Sequence, residues 1–167
     1  MSRALFVDRD GTLIEDVGYP KDPADVVLVP GAAAVLRDAR RRGYLLVIVT
    51  NQSGVARGMF DESVARRVQA RVEELFAAEG VRFDGVYFCL HGPHDGCACR
   101  KPAPGMLLAA ARDLGIDLGA SLMVGDKASD VEAGRAAGAR AIGFGTDIDW
   151  TNVMGWLAED DVGDDVG

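Results

Sequence analysis

The sequence predicts an α/β fold, a doubly wound and mostly parallel sheet flanked by helices. Short apolar runs of strand length alternate along the chain with longer segments of helical periodicity, as is typical of parallel sheets with crossover helices. Four of these runs end on a residue with a chemically active side chain: Asp8, Thr50, Cys89 and Asp126. The carboxyl ends of parallel strands lie at one edge of a sheet, so we expect a binding site where these side chains converge.

The first half of the chain predicts two strands and two helices. Residues 4–7 are an apolar run that stops at an acidic residue, and a loop and a helix over 32–42 follow. Residues 45–49 form a continuous apolar run, as expected of a strand buried on both faces. Asp61 can then cap a helix over 62–79.

The second half continues the alternation after one long interruption. A third strand over 85–88 leads into segment 89–102, which has no helical period. The remaining predicted elements are a helix over 104–114, a strand over 122–124, a helix over 129–137 and a strand over 139–144.

Length, composition and charge limit the function classes. The 167 residues correspond to about one domain, which we assign to 1–150, and we expect the acidic segment 151–167 to be a flexible tail. The formal net charge of −8 argues against a nucleic-acid partner. No signal peptide and no run approaching the roughly 20 apolar residues of a bilayer span is visible. We therefore expect a soluble, cytoplasmic monomer without a membrane partner.

Asp8 and Asp10 lie two residues apart directly after the first strand. Two carboxylates this close raise the free energy of ionising both, and Mg²⁺, which prefers oxygen ligands, would remove that penalty. One carboxylate could then attack phosphorus, as in aspartyl-phosphate enzymes, while the other serves as general acid and base. The alternative interpretation is an ordinary acidic turn.

Three later polar segments could serve the same chemistry. Segment 50–53 offers a hydroxyl and backbone N–H groups to phosphate oxygens, and Lys101 offers a compact positive charge. Asp126 could complete a magnesium site. Each pattern is weak alone, because turns and solvated lysines are common. Asp130, four residues further on, could be catalytic or could cap a helix.

All three cysteines and both histidines of the chain lie within segment 89–102. Three thiols and one histidine make a complete tetrahedral ligand set for zinc, and such crowding in a reducing compartment favours a metal over disulfides. The candidate ligands are Cys89, Cys97, Cys99 and either His91 or His94. With four protein ligands no position stays open, so we expect a structural zinc that staples the loop before Lys101. A chance grouping of loop thiols is the alternative.

Taken together and in order, these segments resemble the motifs of the haloacid dehalogenase (HAD) superfamily of phosphohydrolases. The matching residues are Asp8-Arg9-Asp10-Gly11-Thr12, Thr50, Lys101 and Gly125-Asp126. The resemblance implies a HAD-like fold with Asp8 as nucleophile and Asp10 as general acid and base. It also implies that Thr50 and Lys101 stabilise the phosphate, and that Mg²⁺ binds Asp8, the backbone carbonyl of Asp10, and Asp126.

The metal segment, Cys-x-His followed by Cys-x-Cys-Arg-Lys-Pro, is similar to that of D-glycero-D-manno-heptose 1,7-bisphosphate 7-phosphatases and the related histidinol phosphatases. Segments 16–19, 50–58, 101–106 and 124–127 fit the heptose group. This resemblance implies His91 as the fourth zinc ligand. It implies hydrolysis of the 7-phosphate, a step toward activated heptose for lipopolysaccharide or surface glycan. The implied substrate-binding residues are Asp16, Val17, Gly18, Tyr19, Asn51, Gln52, Ser53, Arg100 and Lys127.

No separate cap domain is predicted, since one helix only lies between the first two strands. Substrate choice must then come from loops, and Arg100 could contact a second, distal phosphate. A histidinol-phosphate phosphatase, a phosphotransferase with an alcohol acceptor and a non-catalytic zinc-stapled binding module are the alternatives. The joint presence of Asp8, Asp10, Lys101 and Asp126 favours an enzyme.

Overall fold

A computed structural model describes residues 1–145 and 149–164. Its five strands form one sheet in the order β3-β2-β1-β4-β5, and every neighbouring pair is parallel. The strands are β1 (Ala4–Val7), β2 (Leu45–Asn51), β3 (Gly85–Cys89), β4 (Leu122–Gly125) and β5 (Arg140–Gly143). This arrangement confirms the predicted fold class.

Five α-helices accompany the sheet within the described ranges. They are α1 (Ala32–Arg41), α2 (Glu62–Ala78), α3 (Gly105–Leu114), α4 (Ala128–Ala137) and α5 (Trp150–Asp164). Two short 3₁₀ helices cover Pro23–Asp25 and Leu118–Ala120. The first four helices match the predicted helices to within one residue at each end, because capping residues such as Asp61, which accepts a hydrogen bond from Val64 N–H, mark their limits.

The sheet separates two apolar layers. Side chains alternate along β1, so that Leu5 and Val7 face the layer that α1, α2 and α5 cover, while Phe6 faces the layer that α3 and α4 cover. All four residues of β1 and of β4 are buried. The polar residues that follow these strands are therefore carried on a rigid base.

The C-terminal segment differs from its sequence prediction. The sequence predicts a flexible tail over 151–167, but the structure forms α5 and buries Val153 and Leu157 completely against the layer that includes α1. Apolar residues at positions 150, 153, 154 and 157 have the spacing of one helix face, which the acidic residues after position 158 obscure. The domain thus extends beyond residue 150, while residues 165–167 lie outside the described part of the chain.

Between β1 and β2 the described chain holds only α1 and one 3₁₀ turn, and it contains no separate cap domain. Short bridges fasten the connecting loop, since Ile14 pairs with both Asp10 and Leu28. In the ranges 1–145 and 149–164, no helix has the length and apolar composition that crossing a membrane requires.

Candidate active site

The carboxyl ends of three neighbouring strands form the base of the site. Asp8 directly follows β1, Thr50 lies near the end of β2, and Asp126 directly follows β4. Asp8 is 6% exposed and Thr50 is 1% exposed. Gly11 has a φ of +81°, and a Cβ there would lie 2.4 Å from Oδ2 of Asp126, so only glycine permits this approach.

Lys101 reaches into this base from the loop that precedes α3. Its Nζ donates to Oδ1 of Asp8 at 2.7 Å, to Oδ1 of Asp130 at 2.6 Å and to the carbonyl of Val49 at 3.0 Å. Burial alone would lower the pKa of Lys101, but the carboxylates of Asp8 and Asp130 outweigh it and raise that pKa above its ordinary value. Lys101 is therefore a fixed cation beside the predicted nucleophile.

Asp130 caps α4, one of the two roles that the sequence leaves open, and it also contacts Lys101. Its Oδ2 accepts the backbone N–H of Lys127 at 3.0 Å, which caps α4, while its Oδ1 holds Lys101. The residue is 1% exposed, and a Cβ on Gly125 would lie 2.3 Å from its Oδ2. Burial, together with the neighbouring charge of Asp8, raises its pKa. Asp130 thus belongs to the buried charge network as well as to the cap.

Three carboxylates lie close together at the strand ends, and the Lys101 ammonium group contacts two of them, Asp8 and Asp130. Asp8, Asp126 and Asp130 each have an oxygen within 4.8 Å of the others. Burial raises the pKa of Asp126 to about 7, with hydrogen bonding to Asp8 and the charges of Asp8 and Asp130 adding to the effect. Thr12 Oγ1 donates to Asp126 Oδ1 at 3.4 Å. Such an excess of oxygen-borne negative charge fits a divalent cation of the Mg²⁺ type.

The Asp10 carboxylate lies apart from this cluster. Its Oδ1 accepts from Nε of Arg9 at 2.8 Å, and its Oδ2 accepts from Nε2 of Gln52 at 3.1 Å. The same Gln52 nitrogen lies 2.8 Å from Oγ1 of Thr50. Gln52 therefore connects two of the four predicted catalytic residues, Asp10 and Thr50. Arg9, which sequence reasoning did not select, contacts Asp10.

Two joined cavities open above the strand ends. A narrow chamber of about 50 Å³ is lined by Asp8, Thr50 and Asp130, and an outer cleft of about 580 Å³ lies over it. The residues that line both are Asp10, Asn51, Lys101, Lys127 and Ser129. The chamber has room for little more than a small group, so the bulk of any ligand would occupy the cleft.

Eight of the nine predicted substrate-binding residues line the outer cleft. They are Asp16, Gly18, Tyr19, Asn51, Gln52, Ser53, Arg100 and Lys127. Val17 is the exception: its side chain does not line the cleft and is largely exposed. Asn51 also has a structural task, because its amide accepts from N–H of Lys101 at 3.0 Å and donates to the Lys101 carbonyl at 3.2 Å.

Sequence reasoning missed four residues that line the cleft, namely Arg57, Pro93, Pro102 and Ser129. The guanidinium carbon of Arg57 lies 5.8 Å from the ring centroid of Tyr19. Tyr19 also approaches Gly54, where a Cβ would lie 3.2 Å from its ring. Arg57 lies within segment 50–58, which fits the heptose group, and its positive charge in the loop after β2 could have identified it as a site residue.

The cysteine-rich segment brings its predicted ligands together. Cys89, His91, Cys97 and Cys99 each have a ligand atom within 4.8 Å of the others. Nδ1 of His91 lies 3.4 Å from Sγ of Cys89 and 3.2 Å from Sγ of Cys99. His94 is not part of this group. Burial raises the pKa of Cys89 to about 12, and a metal that binds the thiolate would displace that proton.

Comparison with known proteins places the chain among phosphatases. A HAD-hydrolase-like family model matches residues 98–165. The D-glycero-beta-D-manno-heptose-1,7-bisphosphate 7-phosphatase of Vibrio cholerae serotype O1 is 46% identical over 142 residues, covering 81% of this chain and 76% of that protein. The corresponding alpha-anomer enzyme of Burkholderia mallei is 44% identical over 144 residues, covering 82% and 76%.

A solved structure agrees with these relatives. The D,D-heptose 1,7-bisphosphate phosphatase of B. bronchiseptica, crystallised with magnesium and phosphate, has a TM-score of 0.83 and 30% identity, covering 95% of this chain and 99% of that one. Sequence identity and coverage are thus high enough, and the fold similar enough, to decide the family. The chain belongs to the D-glycero-D-manno-heptose 1,7-bisphosphate 7-phosphatases, a family of HAD-like hydrolases.

Proposed function

We propose that this protein is a magnesium-dependent phosphatase that hydrolyses the 7-phosphate of D-glycero-D-manno-heptose 1,7-bisphosphate through a covalent intermediate on Asp8. The observation that carries the proposal is the position of Asp8, a buried carboxylate held 2.7 Å from Lys101 Nζ at the base of a narrow chamber. The names of the relatives, which describe this reaction, support the substrate.

The first half of the reaction forms the aspartyl-phosphate. An Asp8 oxygen attacks phosphorus, the bond between phosphorus and the sugar oxygen breaks, and Asp10 gives its proton to the departing oxygen. Lys101 Nζ and the Thr50 hydroxyl stabilise the charge on the phosphoryl oxygens. Both residues line the chamber beside Asp8, which supports these roles.

The second half releases phosphate. A water molecule attacks phosphorus, Asp10 accepts the proton of that water, and the bond to Asp8 breaks, which yields inorganic phosphate and the free carboxylate. Asp10 lines both the chamber and the outer cleft. It can therefore reach the sugar oxygen first and the water afterwards, from one position.

The excess of carboxylates supports a bound Mg²⁺. Asp8, Asp126 and the backbone carbonyl of Asp10 would hold it, while Asp130 is engaged in fixing Lys101. When bound, Mg²⁺ supplies positive charge that offsets the repulsion among the carboxylates and polarises the phosphoryl group. The related B. bronchiseptica enzyme was crystallised with magnesium and phosphate.

We also propose a structural zinc on Cys89, His91, Cys97 and Cys99. The support is the closeness of these four ligand atoms and the match to the Cys₃His sets of structural zinc sites. Such a zinc would staple the segment that ends immediately before Arg100 and Lys101. It would hold both residues at the cleft without taking part in the reaction.

The charge of the outer cleft supports a bisphosphate. Arg57, Arg100 and Lys127 line it, and guanidinium groups bind phosphate by paired hydrogen bonds. The volume of about 580 Å³ lies in the usual range for small-molecule sites. With the 7-phosphate in the chamber, the distal phosphate would contact these cations.

We further propose that the enzyme acts as a cytoplasmic monomer, and its net charge of −8 disfavours a nucleic-acid partner.

The decisive experiment compares substrates. We would measure phosphate release with Mg²⁺ from both anomers of heptose 1,7-bisphosphate and from histidinol phosphate, using Asp8→Asn as a blank for contaminating phosphatases. A preference of about 100-fold or more in kcat/KM for a heptose anomer, about 2.7 kcal/mol, would support the proposal. Equal or better turnover of histidinol phosphate would overturn the substrate while leaving the mechanism.

A further inference from the structure

Arg9, between the two catalytic aspartates, has one of the largest fully buried side chains of the described protein. It is 1% exposed. Its guanidinium contacts both oxygens of Asp10, with Nε at 2.8 Å from Oδ1 and Nη2 at 3.4 Å from Oδ2. This two-pronged contact is the geometry in which an arginine fixes the plane of a carboxylate as well as its charge.

A purely structural role explains Arg9 poorly. Taking a guanidinium out of water is unfavourable, and buried ion pairs often add little net stability compared with apolar residues of similar size. The partner carboxylate is not buried to the same degree, because the Asp10 side chain is 18% exposed against 1% for Arg9. The buried cation thus supports a carboxylate that faces the chamber and the cleft.

Gln69 on α2 holds the other end of Arg9. Its Oε1 accepts from Arg9 Nη1 at 3.2 Å, although the two residues are 60 positions apart. Gln69 is 4% exposed, and its Nε2 has no hydrogen-bond partner among the residues that the structure describes. Leaving the Gln69 NH₂ group buried without a partner is unfavourable. If the amide were turned over, however, that NH₂ group would face the Arg9 guanidinium, which is also a donor, and no hydrogen bond could form between them. The amide orientation therefore serves Arg9.

We propose that Arg9, anchored by Gln69, is a positioning residue that holds the Asp10 carboxyl group where it can protonate the departing oxygen. This inference rests on the proposed function of the site. Gln52 donates to the same carboxylate, with Nε2 at 3.1 Å from Oδ2. Arg9 and Gln52 thus restrict Asp10 to one orientation before substrate arrives, and correct orientation of a general acid is part of its contribution to rate.

The test uses two phosphate esters that differ in their need for a proton. Alkyl phosphates, such as the heptose bisphosphate, need a general acid because an alkoxide leaves poorly, whereas 4-nitrophenyl phosphate expels a stable phenolate without one. We would measure kcat/KM, which reports the steps through formation of the aspartyl-phosphate, for wild type, Arg9→Met, Arg9→Lys and Gln69→Leu. Exposed Arg66→Met is the matched control.

Arg9→Met should lower kcat/KM for the alkyl phosphate by about 30-fold and that for 4-nitrophenyl phosphate by less than about threefold. Arg9→Lys should recover part of the loss. An ammonium group can bind one oxygen of the Asp10 carboxylate, but it cannot fix the plane of that carboxylate as a guanidinium does. Gln69→Leu should also lower kcat/KM more for the alkyl phosphate than for 4-nitrophenyl phosphate, although by a smaller factor. If Arg9→Met does not fold, Gln69→Leu provides the test instead. Equal losses on both esters, or no loss on the alkyl ester, would overturn the inference.

Failure of the proposed function would look different. Wild-type enzyme inactive on heptose 1,7-bisphosphate would reject that substrate, and the comparison would then use histidinol phosphate as the alkyl ester. Asp8→Asn active on 4-nitrophenyl phosphate would reject the covalent mechanism whatever the Arg9 variants do. Equal losses on both esters in the Arg9 variants, with wild type active and Asp8→Asn inactive, would reject the positioning role alone.

Discussion

Nε1 of Trp150 donates a hydrogen bond of 3.0 Å to the backbone carbonyl of Thr12, across 138 positions of sequence. Trp150 is the first residue of α5, and its ring packs edge-on against Phe144 with 5.5 Å between centroids. Oγ1 of Thr12 donates in turn to Asp126. The C-terminal helix is therefore linked directly to the loop that carries Asp8 and Asp10, the two aspartates predicted to be catalytic.

Replacement of Trp150 by Phe would test this link. Phe keeps most of the apolar ring but leaves the buried Thr12 carbonyl without its donor, which should lower the free energy of unfolding by about 1–3 kcal/mol. Trp156→Phe is the matched control, since Trp156 is only partly buried and contacts Arg140. Denaturant unfolding of both variants measures the difference. An equal loss in both would show that the hydrogen bond is unimportant.

Much of the fold could be predicted from the sequence, because the residues that end helices and the apolar runs that form strands indicate the same elements. The C-caps of α3 and α4 are Gly115 and Gly138, both in the left-handed conformation that favours glycine, and β1 and β4 are short apolar runs that are buried throughout. The helix α5 was not predicted, because its packing is a tertiary effect: Val153 and Leu157 are buried only where α1 supplies a surface. Its acidic C-terminal half suggested a tail.

The same distinction applies to the site. The strand-end residues Asp8, Thr50 and Asp126 were predictable because parallel topology alone brings them together. The contact between Arg9 and Gln69 depends on how α2 packs against the sheet, so no local sequence pattern predicts it. The ion pair between Asp130 and Lys101 likewise depends on tertiary packing and cannot be predicted from a local pattern.

Asp8→Asn should abolish turnover, by about 10⁴-fold or more, because the amide cannot form the acyl phosphate. The fold should survive, with stability changed by no more than about 1 kcal/mol, since Lys101 keeps Asp130 as a partner and the repulsion among carboxylates falls. Phosphate release and thermal unfolding are the measurements. The exposed Asp25→Asn should change neither. Substantial steady-state hydrolysis by Asp8→Asn would contradict nucleophilic catalysis.

His91→Ala should remove zinc from the protein whereas His94→Ala should not, because only His91 lies with the three thiols. Loss of the metal should cost about 3 kcal/mol and lower Tm by about 10 °C. Cys97→Ser should behave as His91→Ala. Metal content by elemental analysis and Tm measure the effect. Full zinc occupancy in His91→Ala, or its loss in His94→Ala, would show that the ligand set is different.

The stability of the metal-free protein should depend on pH through Asp126. Its pKa is raised to about 7 in the folded protein, against about 4 for an aspartate in an unfolded chain. The folded state therefore binds the proton more tightly, and the stability that this proton contributes is complete below pH of about 4 and is lost as pH rises through 7.

The stabilisation of the protein by Mg²⁺ should increase with pH, the opposite of the effect of the Asp126 proton. Mg²⁺ binds the ionised Asp126 carboxylate and therefore competes with the proton. The apparent Mg²⁺ affinity should be about tenfold lower at pH 6 than well above pH 7, so that added Mg²⁺ raises Tm more at pH 8 than at pH 6. Thermal unfolding across pH 5–8, with and without Mg²⁺, measures both effects. Asp126→Asn should lose most of the Mg²⁺ stabilisation and its pH dependence. A shift in Tm with Mg²⁺ that is constant between pH 6 and 8 in the unsubstituted protein would show that Asp126 is not the titrating ligand.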